Sequence, residues 1–446
     1  MAPVTDFAVK EIYEYLEGFG SYHQSEAIPG ASPLVNNSPQ KPPFGLRTER
    51  ISGSSFTAPR DHSLQTWMYR VSSSLRHEEF VPYQNEGVPK KPSVISPNSY
   101  LWPKFPVDAE ADWLSQKLLA QNGDPATKTG VAIWVFSVAQ PMKPNTAFSS
   151  LDGDVLIIPQ SGTLDIQTEL GKLLVRQNEI CVIPRGIRYR VTLPAGPARG
   201  YICELFQGHF RLPELGPIGS TGLANIRDFQ VPKAFLDGKL EKGTAVANDA
   251  TWSIISRQAG RLWEAKQDHT VFDVAAWHGT NYPYKYDLGR YCPMGNLLFD
   301  EHDPSLFTVL TAPSYREPGV NVVDFAVIPP RWMVGEDTLW LPYFHRNTMN
   351  EFYAPIVSVQ HPKHPLNGDQ QFKPFVAGLH GSMTTHGAAE EDFQKTTNGP
   401  TTPQKVQTDG FSVFLLETEM PLFLSDWAAK ACFKPADAKP RGAAKI

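Results

Sequence analysis

The sequence predicts a mainly β protein, built as two sandwich-like β halves with few helices and a long irregular N-terminal wrap. Three observations predict it. The 446 residues include 40 prolines, 33 glycines, 25 phenylalanines, 15 tyrosines and 10 tryptophans, a balance that favours turns and strands over a helical bundle. Short β-rich runs bounded by Gly, Pro and Asn recur at close spacing from Val131 onward. Only two stretches carry a good helix pattern, "DWLSQKLLAQ" near Asp112 and "LSDWAAKACF" near Trp427.

The N-terminal segment, up to about residue 110, reads mostly as irregular chain, because proline and glycine interrupt it throughout. Its aromatics Phe19, Phe44, Trp67, Tyr69, Phe80, Tyr83 and Trp102 need burial, against this chain or a neighbouring subunit. Strands are expected in "VAIWVFSVA", "GDVLIIPQSGTLDIQTEL", "GKLLVRQNEICVIPRGIRYRVTL" and "ARGYICELFQGHF". "ELGPIGSTGLANIRDF" reads as a loop. Strands resume in "TWSIISRQAGRLWEAKQ", "SLFTVLTA", "VVDFAVIPPRW" and "DGFSVFLLET". The second helix candidate starts after Ser425 and Asp426, which suit an N-cap. A domain boundary is expected near residue 288, dividing the chain into 1–288 and 289–446.

Composition excludes several function classes. The chain is 41% hydrophobic and 20% charged, as an ordinary soluble globular protein is. Net charge is −5, and no Lys/Arg stripe points to a nucleic-acid partner. Cys181, Cys203, Cys292 and Cys432 lie far apart, without zinc-knuckle spacing, so a reduced cytoplasmic chain is expected. The N-terminus has no signal-peptide pattern, and no run is long enough to span a membrane.

Inside the first β half, "NEICVIPRGIRYRV" has the Pro-x-Gly turn of a cupin second motif, with Pro184 and Gly186 in place. Asn178 stands where the motif's first glycine is expected and Tyr189 where its metal-binding histidine is expected. The segment therefore reads either as a cupin-like sandwich without metal or as an unrelated hairpin.

Of the 12 histidines, His23, His62, His77, His209, His269 and His302 have no ligand partner at a telling spacing, and His361 and His364 sit in a proline-broken loop. "YFHRNTMNEF" differs. His345 and Glu351 are six residues apart, an even number that puts both on one face of a strand together with Asn347 and Met349. A helix would separate them by roughly 120°. The spacing suits a strand or a strand–turn site and matches the cupin first motif with Asn347 replacing its middle histidine. "GLHGSMTTHG" offers a third ligand from His380 or His386. Two histidines and a carboxylate can form a facial triad for Fe(II), and zinc could take the same donors. The blander alternative is a Glu–Arg or Glu–His contact at a sheet end, involving Arg346.

Beyond these motifs, "LEGFGSYHQSEA", "ISGSSFTAPR", "TWMYRV", "LGPIGSTGLANIRDF", "WHG" with "PYKYDL", "DPSLFTVLTA", "PPRW", "PYFHRNTMNEF" and "LHGSMTTHG" occur in an order that resembles the homogentisate 1,2-dioxygenase family, from about Tyr15 to Trp427. The resemblance implies two cupin-like jelly-roll domains, the first without metal and the second holding Fe(II), in a homo-hexamer built from trimers or a homotrimer. It implies His345, Glu351 and His386 as iron ligands, His380 as a supporting histidine and His278 as the acid/base. His386 and Asn347 would also face the substrate. The implied reaction opens the ring of homogentisate with both atoms of O2 to give maleylacetoacetate, a step of aromatic amino acid catabolism.

One wall departs from the family. The tyrosine expected nine residues after the glutamate is Gln360, and no tyrosine lies between Ala354 and His386. "FYAPI" replaces the usual "FMGLI". Either Gln360 or Lys363 takes over the missing contact and homogentisate remains the substrate, or the chain is a divergent paralogue that cleaves hydroquinone or another para-diphenol. A catalytically inactive cupin-like binding protein and a zinc hydrolase or isomerase are the readings from other classes.

Overall fold

A computed structural model describes residues 7–85, 87–214, 223–293, 298–300, 303–339, 343–358, 376–387, 390–406 and 411–432. Strands dominate it, as the composition predicts. In the N-terminal half a nine-stranded sheet contains, as neighbours, Glu179–Ile183, Asp154–Ser161, Ala198–Leu205, Val131–Val138 and Lys117–Gln121. A seven-stranded sheet contains Gly171–Arg176, Thr163–Thr168, Tyr189–Thr192, Thr146–Ser150 and the hairpin Trp252–Gln258/Arg261–Gln267. Side chains of both sheets, among them Leu156, Ile158, Val182, Leu164, Ile166 and Leu173, share one core. Ala198–Leu205 is buried along its whole length, so it reads as a continuous run rather than an alternation. Ala259 and Gly260 turn the hairpin with φ of 52° and 73°, the twist a two-residue turn needs.

The Pro-x-Gly turn forms as expected. Asn178 adopts φ 69° and Gly186 φ 83°, so asparagine stands in a left-handed position that otherwise favours glycine. Tyr189 is fully buried, and its hydroxyl accepts a hydrogen bond from Trp113 Nε1 at 3.2 Å.

The C-terminal half centres on a six-stranded sheet in the order Thr308–Pro313, Asn321–Ile328, Phe411–Thr418, Asn350–Ser358, Ala377–His380 and Tyr100–Trp102. The halves are laced together. Tyr100–Trp102 from the first half closes this sheet, and Phe423–Leu424 from the second pairs with Lys117–Gln121 in the nine-stranded one.

Two expectations change. "DWLSQKLLAQ" is not a helix: Asp112 Oδ1 accepts from Leu114 N at 3.0 Å and caps only a single 3-10 turn, Trp113–Ser115. The chain then runs as the strand Lys117–Gln121, because pairing with Val131–Val138 outweighs its helix propensity. The N-terminal segment is less irregular than its prolines imply. His23–Glu26, Arg47–Ser52 and Gln65–Arg70 join Val274–Gly279 in a four-stranded sheet. Several of its aromatics pack within the chain itself: Phe19 is partly buried and stacks on Phe229 at 4.9 Å, and Trp102 is fully buried with Nε1 donating to Ala428 O at 2.8 Å. The helix Asp426–Ala431 forms as expected, with Ser425 Oγ accepting from Ala428 N at 3.1 Å. The helix Glu390–Thr397 was not foreseen from the sequence. Among the described residues no helix is long and apolar enough to cross a membrane.

Candidate metal centre

Glu351 sits near the start of Asn350–Ser358, in the interior of the six-stranded sheet. His345 does not share that strand. It lies ahead of it and forms an isolated antiparallel bridge with His386, with His345 N donating to His386 O at 3.0 Å and His386 N to His345 O at 3.1 Å. The strand–turn version of the sequence expectation is therefore the correct one. A single strand face carrying His345, Asn347, Met349 and Glu351 does not occur, because a bend intervenes before Asn350.

Ligand atoms of His345, Glu351 and His386 lie within 4.8 Å of one another, and they are the metal-competent group found among the described residues. His345 Nε2 is 3.5 Å from Glu351 Oε1, and His386 Nε2 is 3.0 Å from Glu351 Oε2. The outer nitrogens fix the orientation of the rings. His345 Nδ1 faces Tyr343 O at 3.1 Å and His386 Nδ1 faces Thr384 O at 2.8 Å. A carbonyl can only accept, so Nδ1 carries a proton in each ring, and Nε2 is the nitrogen turned toward Glu351. Backbone carbonyls commonly orient metal-binding histidines in this way.

Around the trio, Asn347 Nδ2 donates to Glu351 Oε1 at 3.2 Å and also hydrogen-bonds Glu417. Arg346 is exposed, so the predicted Glu–Arg alternative gives way to a Glu–His cluster. Glu417 and Asp324 extend the row, since Asp324 pairs with Glu417 and Glu417 with Glu351 across the sheet. Burial, with the charges of Glu351 and Asp324, pushes the Glu417 carboxyl up to about 7. Burial works against charge on Glu351 as well, but the hydrogen bond and charge of His386 outweigh it and hold the carboxyl below its usual range. His386 is raised in return, its burial being offset by Glu351.

His380 joins the site from the neighbouring strand, directly opposite Glu351 in the ladder. Its ring stacks on His386 at 4.2 Å with an interplanar angle of 7°, and its Nδ1 lies 2.9 Å from Ser99 Oγ. His278 is not brought to the trio by its side-chain hydrogen bonds. It is buried on Val274–Gly279, with Nδ1 2.5 Å from Tyr22 Oη and Nε2 2.9 Å from Tyr69 Oη. Tyr69 donates to Asn37 O at 2.9 Å, so it accepts from Nε2–H, and Nδ1 accepts from Tyr22. Burial lowers the pKa of this imidazole. Gln360, Lys363, His302, His361 and His364 lie outside the described residues.

Sequence reasoning missed Ser99, Glu417 and Tyr353 as neighbours of the site. Ser99 is 281 residues from His380 and gives no local signal. Tyr353 was within reach, because it follows Glu351 by two on the same strand face.

The chain was compared with known proteins. The family model described as "Homogentisate 1,2-dioxygenase N-terminal" matches residues 14–288, and "Homogentisate 1,2-dioxygenase C-terminal" matches 289–439. The chain is 48% identical over 438 residues to a homogentisate 1,2-dioxygenase of Emericella nidulans, covering 97% of this chain and 94% of that one. It is 42% identical over 434 residues to the enzyme of that name from Drosophila melanogaster, covering 95% and 94%. A solved cupin 2 conserved barrel domain protein from Leptotrichia buccalis is 8% identical, with 68% of this chain and 89% of that one covered and a TM-score of 0.27.

Proposed function

Because the chain belongs to the homogentisate 1,2-dioxygenase family, we propose that it is an Fe(II)-dependent dioxygenase that opens the ring of homogentisate with both atoms of O2, giving maleylacetoacetate. The observation that carries this reading is the convergence of two imidazoles and one carboxylate whose ligand atoms lie within 4.8 Å of one another. That donor set fits a divalent iron with open positions. A ferrous ion held by His345, Glu351 and His386 would supply the redox chemistry through which dioxygen reacts with a diphenol ring.

The chain's own residues do the rest. Thr384 O and Tyr343 O keep the imidazoles aimed inward. Asn347 restrains Glu351 Oε1, which limits rotation of the carboxylate. Proton transfer at the substrate hydroxyls is the role we propose for His278, whose two nitrogens hydrogen-bond Tyr22 and Tyr69. The assembly we infer is a hexamer built from trimers, and sedimentation of the purified chain tests it.

A second reading, a para-diphenol without the acetate side chain, is favoured by one observation: no tyrosine lies between Ala354 and His386, where the family resemblance implies one that contacts the substrate. An oxygen-electrode comparison of homogentisate with hydroquinone separates the two. Higher kcat/KM on homogentisate is the expected result. Faster turnover of hydroquinone would move the assignment to the second reading, and no uptake on either would remove both.

A further inference from the structure

We propose that Tyr353 is a positioning residue of the metal centre, acting through His380 to set the plane in which His386 presents Nε2. This rests on the reading of His345, Glu351 and His386 as metal ligands.

Three independent features of the fold converge on it. The first is register. Tyr353 follows Glu351 by two on Asn350–Ser358, so both side chains stand on the same face of the sheet. The second is a slot made for the ring. Tyr353 pairs directly with Gly378 on the adjacent strand, and a Cβ at 378 would come within 2.2 Å of Tyr353 Cζ and 2.3 Å of Oη. The phenol therefore lies across the Gly378 backbone, where only glycine leaves room. The third is a column of rings. Tyr353 stacks on His380 at 5.2 Å and 24°, and His380 stacks on His386 at 4.2 Å and 7°.

The column has a mechanical consequence. His386 lies outside the long strands and pairs with His345 through an isolated bridge. The hydrogen bond from Nδ1 to Thr384 O anchors one point of the ring. Rotation about the Cβ–Cγ bond would swing Nε2 away from Glu351, and the flat face of His380 opposes that rotation. His380 is itself held by Ser99 through Nδ1 and by the Tyr353 ring. Tyr353 thus acts on the metal ligand through an intermediate ring. Aromatic contacts of this kind add to what burial contributes and bias an imidazole between rotamers.

The test is Co(II) titration of the purified chain, reading affinity and the visible d–d spectrum, with far-UV circular dichroism as a fold control. Tyr353→Leu removes the ring and should weaken Co(II) binding about tenfold, the scale of an outer-sphere loss, with an altered spectrum. Gly378→Ala fills the slot and should reproduce both changes by displacing the phenol, while Tyr353→Phe keeps the ring and restores wild-type affinity. Should Tyr353→Leu fail to fold, the contrast between Gly378→Ala and Tyr353→Phe decides. A folded Tyr353→Leu or Gly378→Ala that binds Co(II) with wild-type affinity and spectrum overturns the proposal. So does a Tyr353→Phe variant as impaired as Tyr353→Leu. Oxygen uptake by the wild type is read separately: tight metal binding without ring cleavage would sink the dioxygenase reading and leave the column standing.

Discussion

In the N-terminal half Tyr189 is buried beside Trp113, whose Nε1 donates to its hydroxyl. The nearby carboxylate of Glu204, also fully buried, accepts from Trp134 Nε1 at 2.8 Å, from Arg257 at 3.2 Å and from Ser150 Oγ. In the C-terminal half Glu351 is nearly as buried, yet its partners are Asn347 and the imidazoles His345 and His386. Both halves bury a carboxylate, and the groups facing it decide what the half can do. Guanidinium is a permanent cation with only donors, so the Glu204 cluster is closed. Imidazole can give up its proton and offer a lone pair, so the Glu351 cluster can exchange internal hydrogen bonds for a metal.

Glu351→Ala should have the largest effect, lowering oxygen uptake on homogentisate by more than the roughly 100-fold ceiling for outer-sphere changes, with circular dichroism unchanged. Arg257→Met sharpens the other side. It leaves the buried Glu204 without its cationic partner, with Trp134 and Ser150 as the remaining donors, and should cost about 3–5 kcal/mol in denaturant unfolding, while metal bound per folded chain stays at the wild-type level. Asn347→Ala frees Glu351 Oε1 and should weaken Co(II) binding by about tenfold in titration. Asn178→Ala tests the N-terminal turn. At φ 69° it should lose up to about 1–2 kcal/mol, whereas Asn178→Gly should recover most of it.

The smallest effect concerns pH and a second closed cluster. Burial opposes charge on His209, but Asp154, 2.7 Å from Nδ1, outweighs it and raises the pKa. A raised folded pKa means that its stabilisation is complete below the ordinary histidine value, about 6.5, and is lost as pH rises through the raised one. For Asp154, burial is overcome by His209 and Arg185, leaving its pKa at about 2. Its contribution is present above about pH 4, the ordinary aspartate value, and is lost as pH falls toward 2. Melting temperature against pH should therefore decline on both flanks, and His209→Gln should flatten the alkaline flank.

The three donors that converge in the structure were legible as candidates because their chemistry is local: His345 and Glu351 stand six residues apart beside a strand, and "LHGSMTTHG" carries the third donor. The choice of His386 over His380 came from family resemblance, and spacing alone left it open. The β runs were legible through their flanking Gly, Pro and Asn. "DWLSQKLLAQ" misled because an aspartate cap serves a 3-10 turn as well as an α-helix. Only pairing with the neighbouring strand decides the conformation of the residues after that turn. Tyr69 and His278 meet across 209 residues, and no local pattern signals such a contact. Gly378 looks like any strand glycine until the Tyr353 ring is seen across it.

The most direct measurement is iron per chain after anaerobic Fe(II) loading and desalting, for the wild type, Arg257→Met and Glu351→Ala. The account predicts stoichiometric iron in the first two and none above background in the third. Iron retained by a folded Glu351→Ala, or lost from a folded Arg257→Met, would contradict it.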